Sequence, residues 1–559
     1  MPGGRASLVV AASRIRYRVP WALVSTVGGI FGLALFWRLV IFVGFPNDHY
    51  VHFARARQLL LGAWPIRDFV DPGMPLMYLT SAAGQRLVGG ALRSEFFIVA
   101  AGCAIGAAAT TAAGWRLSRS IAVALAAGLI VIIIAPRSYS YPKVMLYGVG
   151  GWVVLALAAL PSPRRIALAA AFVAVAFLFR HDHGLYLGVA CAVAVVLADD
   201  RTARRTASGR MTMFAAATVA VLLPWATYVQ LNGGLVGYFV SAINFSRREA
   251  QTSSLRTWPV FDAAFEGPAN AEAWLYYLFL ALPVASLALA WRRRLSGREG
   301  WRGECAAVSA LSVLAVAVNF GFLRDPLNAR LADAVVTPAL LLAWLAGAAI
   351  SPSASAFAVR TASRALAVIL FAITIAAAWQ VGHGSESVRR AQLMDASFRA
   401  PAAYLRSVWR SINREDLDPV MFPSRVSGEL MPFFAYLQRC SDPSDRLLVT
   451  GQNADVFVIG GRGFAGGHVA FLEGYYSSTT EQLLTLERLR RESVPFIVLA
   501  LDSYDEFRHD FSLLDAHMTG VYRPMADVAV PETNGLRILV DRRRAVRRVD
   551  ADTGWPCFR

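Results

Sequence analysis

Residues Trp21–Phe45, WALVSTVGGIFGLALFWRLVIFVGF, run without a break into Pro46-Asn47-Asp48-His49. A little further on, Arg67–Tyr78 reads RDFVDPGMPLMY. The first stretch is long and apolar enough to cross ~30 Å of hydrocarbon as a helix. The polar residues behind it place acids at its mouth. Carboxylates close to a bilayer are costly, so a cluster of them points to a functional site.

The rest of the chain agrees with that beginning. It has 559 residues, 56% of them apolar and only 17% charged, with a mean hydropathy of +0.46. Soluble domains carry about a quarter charged residues, so this composition argues for a polytopic membrane protein. The formal net charge of +17 would suggest nucleic acid in a soluble protein. Here the basic residues gather in short loops between apolar runs, which a membrane surface explains better, and no nucleic-acid partner is expected.

Eleven spans are predicted, over 20–45, 94–115, 120–135, 143–160, 164–179, 184–199, 211–230, 272–291, 304–321, 331–350 and 363–381. The arginine-rich N-terminus reads as an uncleaved signal anchor. With that end inside, the inner loops hold Arg116/Arg119, Arg164/Arg165, Arg201–Arg210, Arg292–Arg302 and Arg360/Arg364. The outer loops are 46–93, 136–142, 180–183, 231–271 and 322–330. Segment 75–92 has an amphipathic pattern with Gln85 and Arg86, and is read as a helix lying on the membrane surface. Counting it as a span would put every later basic loop outside.

From about residue 385 hydrophobic runs shorten and turn signals return, which gives a division into 1–384, membrane-embedded, and 385–559, outside. Arg446–Gly451, Pro495–Leu501 and Leu536–Val540 read as strands, the last as a closing strand, and Glu481–Arg491 reads as a helix. That alternation suggests a small α/β domain. The glycine-rich Gly460–Gly467 lacks the Gly-Lys-Ser/Thr of a phosphate loop and is read as a flexible loop. Cys103, Cys191 and Cys305 fall in or beside apolar spans and are expected to pack as small hydrophobes. Cys440 and Cys557 lie in the polar part, where an oxidising compartment would allow them to join.

On this topology the outer face collects the chemistry. Asp48, His49, His52, Asp68 and Asp71 lie in the first loop, Arg137 and Lys143 flank the second, and Arg180, His181, Asp182 and His183 form the third. Arg324, Asp325 and Arg330 lie in the fifth. Lys143 is the only lysine among 55 basic residues. Each has a plain structural reading. Asp48 would be a solvated residue after a helix, and Asp68 and Asp71 would hold turns, since Asp-Pro-Gly is a turn signal. His181-Asp182-His183 matches no tight metal-ligand spacing, so no metal site is assigned. Arg324 and Arg330 would anchor span ends by snorkelling.

The acid past the first helix, the following FARARQLLLGAWP (53–65) and then DPGMPLMY (71–78) resemble the first outer loop of GT-C-type integral membrane glycosyltransferases. The similarity is to the bacterial relatives of protein mannosyltransferases and of the lipid A aminoarabinose transferase. It is clear over about residues 20–200 and architectural beyond. The resemblance implies a GT-C-like fold with surface helices in the first outer loop. It implies transfer of a sugar from a polyprenyl-phosphate donor to an acceptor hydroxyl at the outer face, with inversion. Asp48 matches the acid that serves as catalytic base, and His49 stands where many members have a second acid. The second loop, PRSYSYPK (136–143), lacks the acid that many members carry there, so a divalent metal is not expected. Arg137 and Lys143 become the candidates for the lipid phosphate, with His49, Asp68, Asp71, Arg180, His181, Arg324 and Arg330 as further substrate-binding candidates. Expected partners are the lipid-linked donor, a glycan, lipid or protein acceptor, and membrane lipids. The expected location is the bacterial inner membrane.

Two other readings stay open. A transporter or lipid-linked sugar flippase predicts charged or glycine/proline-broken segments within spans, in paired halves; the charges here gather at outer span ends. A non-catalytic anchor for the outer part predicts no acid cluster.

Overall fold

The computed structural model describes residues 20–45, 47–89, 91–137, 142–198, 206–252, 258–263, 268–295, 301–323, 325–350, 357–413, 428–531 and 533–559. Among the described residues up to 413 there are one short 3-10 helix, Phe320–Leu323, and seventeen α-helices. These are α1 (Trp21–Val40), α2 (Asn47–Leu60), α3 (Pro75–Val88), α4 (Ala91–Ser118), α5 (Ile121–Ile133), α6 (Lys143–Ala159), α7 (Pro163–Phe179), α8 (His181–Leu197) and α9 (Ala207–Asn232). They continue with α10 (Leu235–Thr252), α11 (Ala269–Leu295), α12 (Trp301–Asn319), α13 (Leu327–Ala334), α14 (Val336–Ile350), α15 (Phe357–Val381), α16 (Gly384–Arg390) and α17 (Arg399–Asn413).

Each of the eleven apolar stretches is helical. Among the described residues six helices are long and apolar enough to cross a membrane, or seven if α13 and α14, bent by 55° at a short break, are counted as one span. The chain is a multi-pass membrane protein. Helices α5 to α8 coincide with four of the remaining expected spans but are shorter, from 13 to 17 residues. Their starts follow local chemistry. Ser120, Ser162 and Thr206 accept from backbone N–H groups three residues on, capping α5, α7 and α9.

Small residues bring α4 and α6 into backbone contact. A Cβ on Gly148 would lie 3.1 Å from Gly106 Cα, and one on Gly106 would lie 2.6 Å from the Val144 carbonyl carbon. Such close approach is how helices associate where lipid gives no hydrophobic drive. It also fixes the head of α6, and therefore Lys143.

Between α1 and α4, helices α2 and α3 lie side by side. Helix α3 buries Met77, Tyr78, Ser81 and Ala82 and leaves Leu87 and Val88 exposed, an amphipathic arrangement. The C-terminal part is built on β1 (Arg446–Val449), β2 (Gly463–Phe464), β3 (Phe496–Ala500), β4 (Tyr522–Val528) and β5 (Leu536–Asp541), in the order β2-β1-β3-β5-β4. Strand β1 runs parallel to β2 and β3, while β5 runs antiparallel to β3 and β4. The helix Thr479–Arg491 begins in a capping box between Ser478 and Glu481. Cys440 and Cys557 form a disulfide. Cys191 and Cys305 are buried, and Cys103 is half-buried.

Leu536–Val540 is the last strand of the five-stranded sheet and lies between β3 and β4. One expectation is corrected. Gly460–Gly467 is not a flexible loop. It contains β2, and Arg462 through Gly467 are buried. Gly463 and Gly467 make room for the segment between α1 and α4. A Cβ on Gly463 would collide with Gln58 Oε1, and one on Gly467 (φ +82°) would lie 2.8 Å from the Asp68 carbonyl.

Candidate active site

Asp48 lies in the first turn of α2, and its side chain lies outside the described residues. Its neighbour His49 is wholly buried, with Nδ1 3.6 Å from Glu95 Oε1. The other Glu95 oxygen accepts from Ser81 Oγ at 2.8 Å. The Phe45 and Phe53 rings pack on His49 at 4.9 and 6.1 Å. The helix that carries Asp48 is thus pinned to the head of α4 by a buried imidazole–carboxylate pair. One turn on, burial and then the Arg55 charge hold the His52 imidazole well below the ordinary histidine range, so it stays neutral.

A second arrangement centres on Asp71, which is buried. Its Oδ1 accepts from the backbone N–H groups of Gly73 and Met74 at 2.9 and 2.8 Å, leading the chain into α3. Its Oδ2 accepts from Tyr238 Oη at 3.1 Å, and the same hydroxyl lies 2.9 Å from His181 Nε2. His181 Nδ1 faces the Phe177 carbonyl at 2.8 Å and so carries a proton. The single hydroxyl proton of Tyr238 is shared between a carboxylate and an imidazole nitrogen. Burial and Asp71 push the Tyr238 hydroxyl far above its ordinary value, so it remains a donor. The His181 ring stacks on Phe177 at 4.0 Å and is edged by Trp225 and Tyr238. Gly73 (φ +103°) lets that ring sit against the backbone, since a Cβ there would lie 2.8 Å from His181 Cδ2.

The third arrangement gathers charge. Lys143 Nζ lies 2.5 Å from Asp333 Oδ2 of α13, both side chains buried. Arg180 and Arg330 act on Lys143 electrostatically. Arg180 Nη2 pairs with Asp182 Oδ2 at 2.9 Å, Asp182 Oδ1 accepts from the His183 backbone at 2.8 Å, and His183 Nδ1 meets Tyr147 Oη at 2.5 Å. Three segments far apart in sequence supply three cations to one place, interleaved with two carboxylates.

The structure therefore unites Lys143, Arg180 and Arg330, and separately Asp71 and His181. Asp68 belongs to neither. It closes its own turn, accepting from the Trp64 N–H at 2.8 Å and from Arg67 Nε at 2.9 Å. Arg137 is half-buried beside Pro136, whose carbonyl accepts from Arg38 Nη2 at 2.6 Å. Arg324 lies outside the described residues. Sequence reasoning missed Glu95, Asp333 and Tyr238. Glu95 and Asp333 carried a usable signal, because each is an acid at or inside an apolar span; Tyr238, in a long mixed loop, carried none.

The C-terminal part sits on the segment between α1 and α4. Gln58 Nε2 donates to the Phe464 carbonyl at 2.6 Å, Arg57 Nη2 to Gly461 at 2.6 Å, and the Val70 N–H to Gly467 at 3.0 Å. Phe69 and Phe464 meet edge-on at 5.6 Å. Among the described residues the only three metal-type ligands that converge are Cys440, Asp550 and Cys557. The two sulfurs are consumed in the disulfide, so this group does not constitute a metal centre.

No protein-family model matches the chain, and no curated protein matches it in sequence. Among solved structures it is similar to ArnT from Cupriavidus metallidurans in the apo state, at 13% identity and TM-score 0.49, over 93% of this chain and 98% of that one. It is similar to the same protein bound to undecaprenyl phosphate, at 14% identity and TM-score 0.46, over 92% and 97%. It is also similar to the Archaeoglobus fulgidus oligosaccharyltransferase in complex with Zn and sulfate, at 11% identity and TM-score 0.43, over 91% and 72%.

Proposed function

We propose that the protein is an inverting, GT-C-like membrane glycosyltransferase that moves a sugar from a polyprenyl-phosphate donor to an acceptor hydroxyl at the outer membrane face. The observation that carries this reading is the gathering of Lys143, Arg180 and Arg330, from segments far apart in sequence, about the buried Lys143–Asp333 pair. Such a cluster suits a phosphate on which negative charge grows as it leaves. Arginine adds paired donors to that task.

Asp48 is the general base. It takes the proton from the acceptor hydroxyl as that oxygen attacks the anomeric carbon. The carbon–oxygen bond to the phosphate breaks on the opposite face, and the polyprenyl phosphate departs with the electron pair. The leaving group is already an anion, so it requires no proton donor. His49, held by Glu95, fixes the turn that carries Asp48. Asp71 and His181 shape the loop through Tyr238. The chain divides at about 384/385 into a membrane-embedded part and an extracytoplasmic part that positions the acceptor. The Cys440–Cys557 disulfide supports placing that part in an oxidising compartment, outside a bacterial inner membrane.

The test is a transfer assay in membranes with labelled polyprenyl-linked sugars, comparing wild type with Asp48→Asn. Loss of transfer by at least a hundredfold is expected, in line with the general-base contribution of about 10²–10⁴. Equal transfer by both proteins would remove Asp48 from this role.

A further inference from the structure

At the ends of α4, α6 and α7 remote from the candidate site, arginines stack on indole rings. The Arg116 guanidinium lies 5.4 Å from the Trp152 ring centre, and that of Arg119 lies 5.6 Å from Trp115. Arg165, in the first turn of α7, sets Nη1 2.9 Å from the Ala156 carbonyl and 3.3 Å from that of Leu160, at the end of α6. Arg164 beside it is exposed. Arg165 and Arg119 both lie close enough to act on Arg116 electrostatically.

Helix dipoles favour Arg116 and Arg119 at the C-terminal end of α4 but not Arg164 and Arg165, which stand in the first turn of α7. They do not account for guanidinium planes laid on indole faces, nor for cations crowded on one another. Crowding of that kind is relieved by an anion. The depth indicates which anion. The cluster sits where apolar helices end, and Trp at that level belongs to the headgroup zone. We propose that Arg116, Arg119, Arg164 and Arg165, held by Trp115 and Trp152, form a binding site for an anionic phospholipid headgroup of the inner leaflet, with its phosphate bridging α4 to the α6–α7 turn. Basic clusters between spans on the inner side are suited to such lipids. The inference rests on the membrane placement and not on the transferase reading.

The test uses the full chain in detergent, given equal amounts of phosphatidylglycerol and phosphatidylcholine, with retained lipid counted by native mass spectrometry. Wild type is expected to keep phosphatidylglycerol at least tenfold over phosphatidylcholine. The double variant Arg116→Gln/Arg165→Gln is expected to lose most of that preference, at roughly fivefold per arginine. The charge-keeping Arg116→Lys/Arg165→Lys is expected to hold it within about threefold. Arg523→Gln, on the exposed strand β4, is the control and leaves it unchanged. Equal retention of both lipids by wild type overturns the proposal. So does a lysine pair that fails as the glutamine pair does, because the loss is then structural. Displacement by soluble glycerol phosphate would also overturn it, because the site then takes a free anion and not a lipid.

Discussion

Lys143 Nζ and Asp333 Oδ2 lie 2.5 Å apart, joining the head of α6 to the last turn of α13 across 190 residues of sequence. The one lysine of the chain is therefore both a buried ion-pair partner and the centre of the cation cluster. Its pairing with an acid at the α13–α14 bend ties that bend to the candidate site.

Removing one partner of such a pair leaves an uncompensated buried charge. Asp333→Asn is expected to cost about 3–5 kcal/mol, seen as a lowered unfolding midpoint of the detergent-solubilised protein. The double variant Lys143→Met/Asp333→Leu should recover most of that loss. A single variant as stable as wild type would show that the pair carries little.

Glu95 bears on Asp48 through His49. Glu95→Gln keeps the shape and the Ser81 bond and removes the charge facing the imidazole. A shift of about 1.4 kcal/mol in the barrier is tenfold in rate, so kcat for sugar transfer should fall about tenfold with KM nearly unchanged. An unaltered kcat would mean that the pair stabilises the fold without placing the base.

His468 is buried where the C-terminal part meets the first loop, 3.1 Å from Thr485 Oγ1 and in the field of Arg488 and Arg55. Burial first, then those charges, push its imidazole down to about 3. The unfolded chain takes up the proton near the ordinary value of about 6.5. Its contribution to stability is therefore complete above that pH and is lost as pH falls toward 3. The slope should be about 1.4 kcal/mol per pH unit inside that window. His468→Gln should flatten thermal stability between about pH 6 and pH 4; an unchanged slope would assign the titration elsewhere.

Gly467 adopts φ +82°, and a Cβ there would lie 2.8 Å from the Asp68 carbonyl and would collide with Arg488. Gly467→Ala strains the backbone by about 1–3 kcal/mol and separates the two surfaces. Hydrogen exchange should rise together in 65–70 and 461–469. Faster exchange in the second segment alone would show that the contact is not a joint one.

The membrane part was legible because its signal is local. A run such as Ile121–Ile133 is apolar on every side, and its composition alone states that it belongs in lipid or a protein core. The strand Phe496–Ala500 was legible for the same reason, and Tyr522–Val528 was not, since its exposed and half-buried residues follow no alternation. Gly460–Gly467 misled because glycines admitted for flexibility and glycines admitted for lack of space look alike in sequence. Only the partner, here Gln58 and Asp68, distinguishes them. The candidate site was half legible. The cations at span ends announced themselves, while Glu95 and Asp333 were hidden inside stretches read as spans.

By itself the sequence determined where the apolar helices lie, in what order, and that the chain is a multi-pass membrane protein. Bilayer partitioning depends on the summed character of about twenty neighbouring residues and needs no distant contact. The tertiary structure decided which ionisable groups meet: Lys143 with Asp333, His49 with Glu95, Asp71 with His181 through Tyr238. Those pairings depend on helix packing within a few ångströms. Glycine contacts such as Gly106 on Gly148 set that packing, and no local pattern encodes their partners.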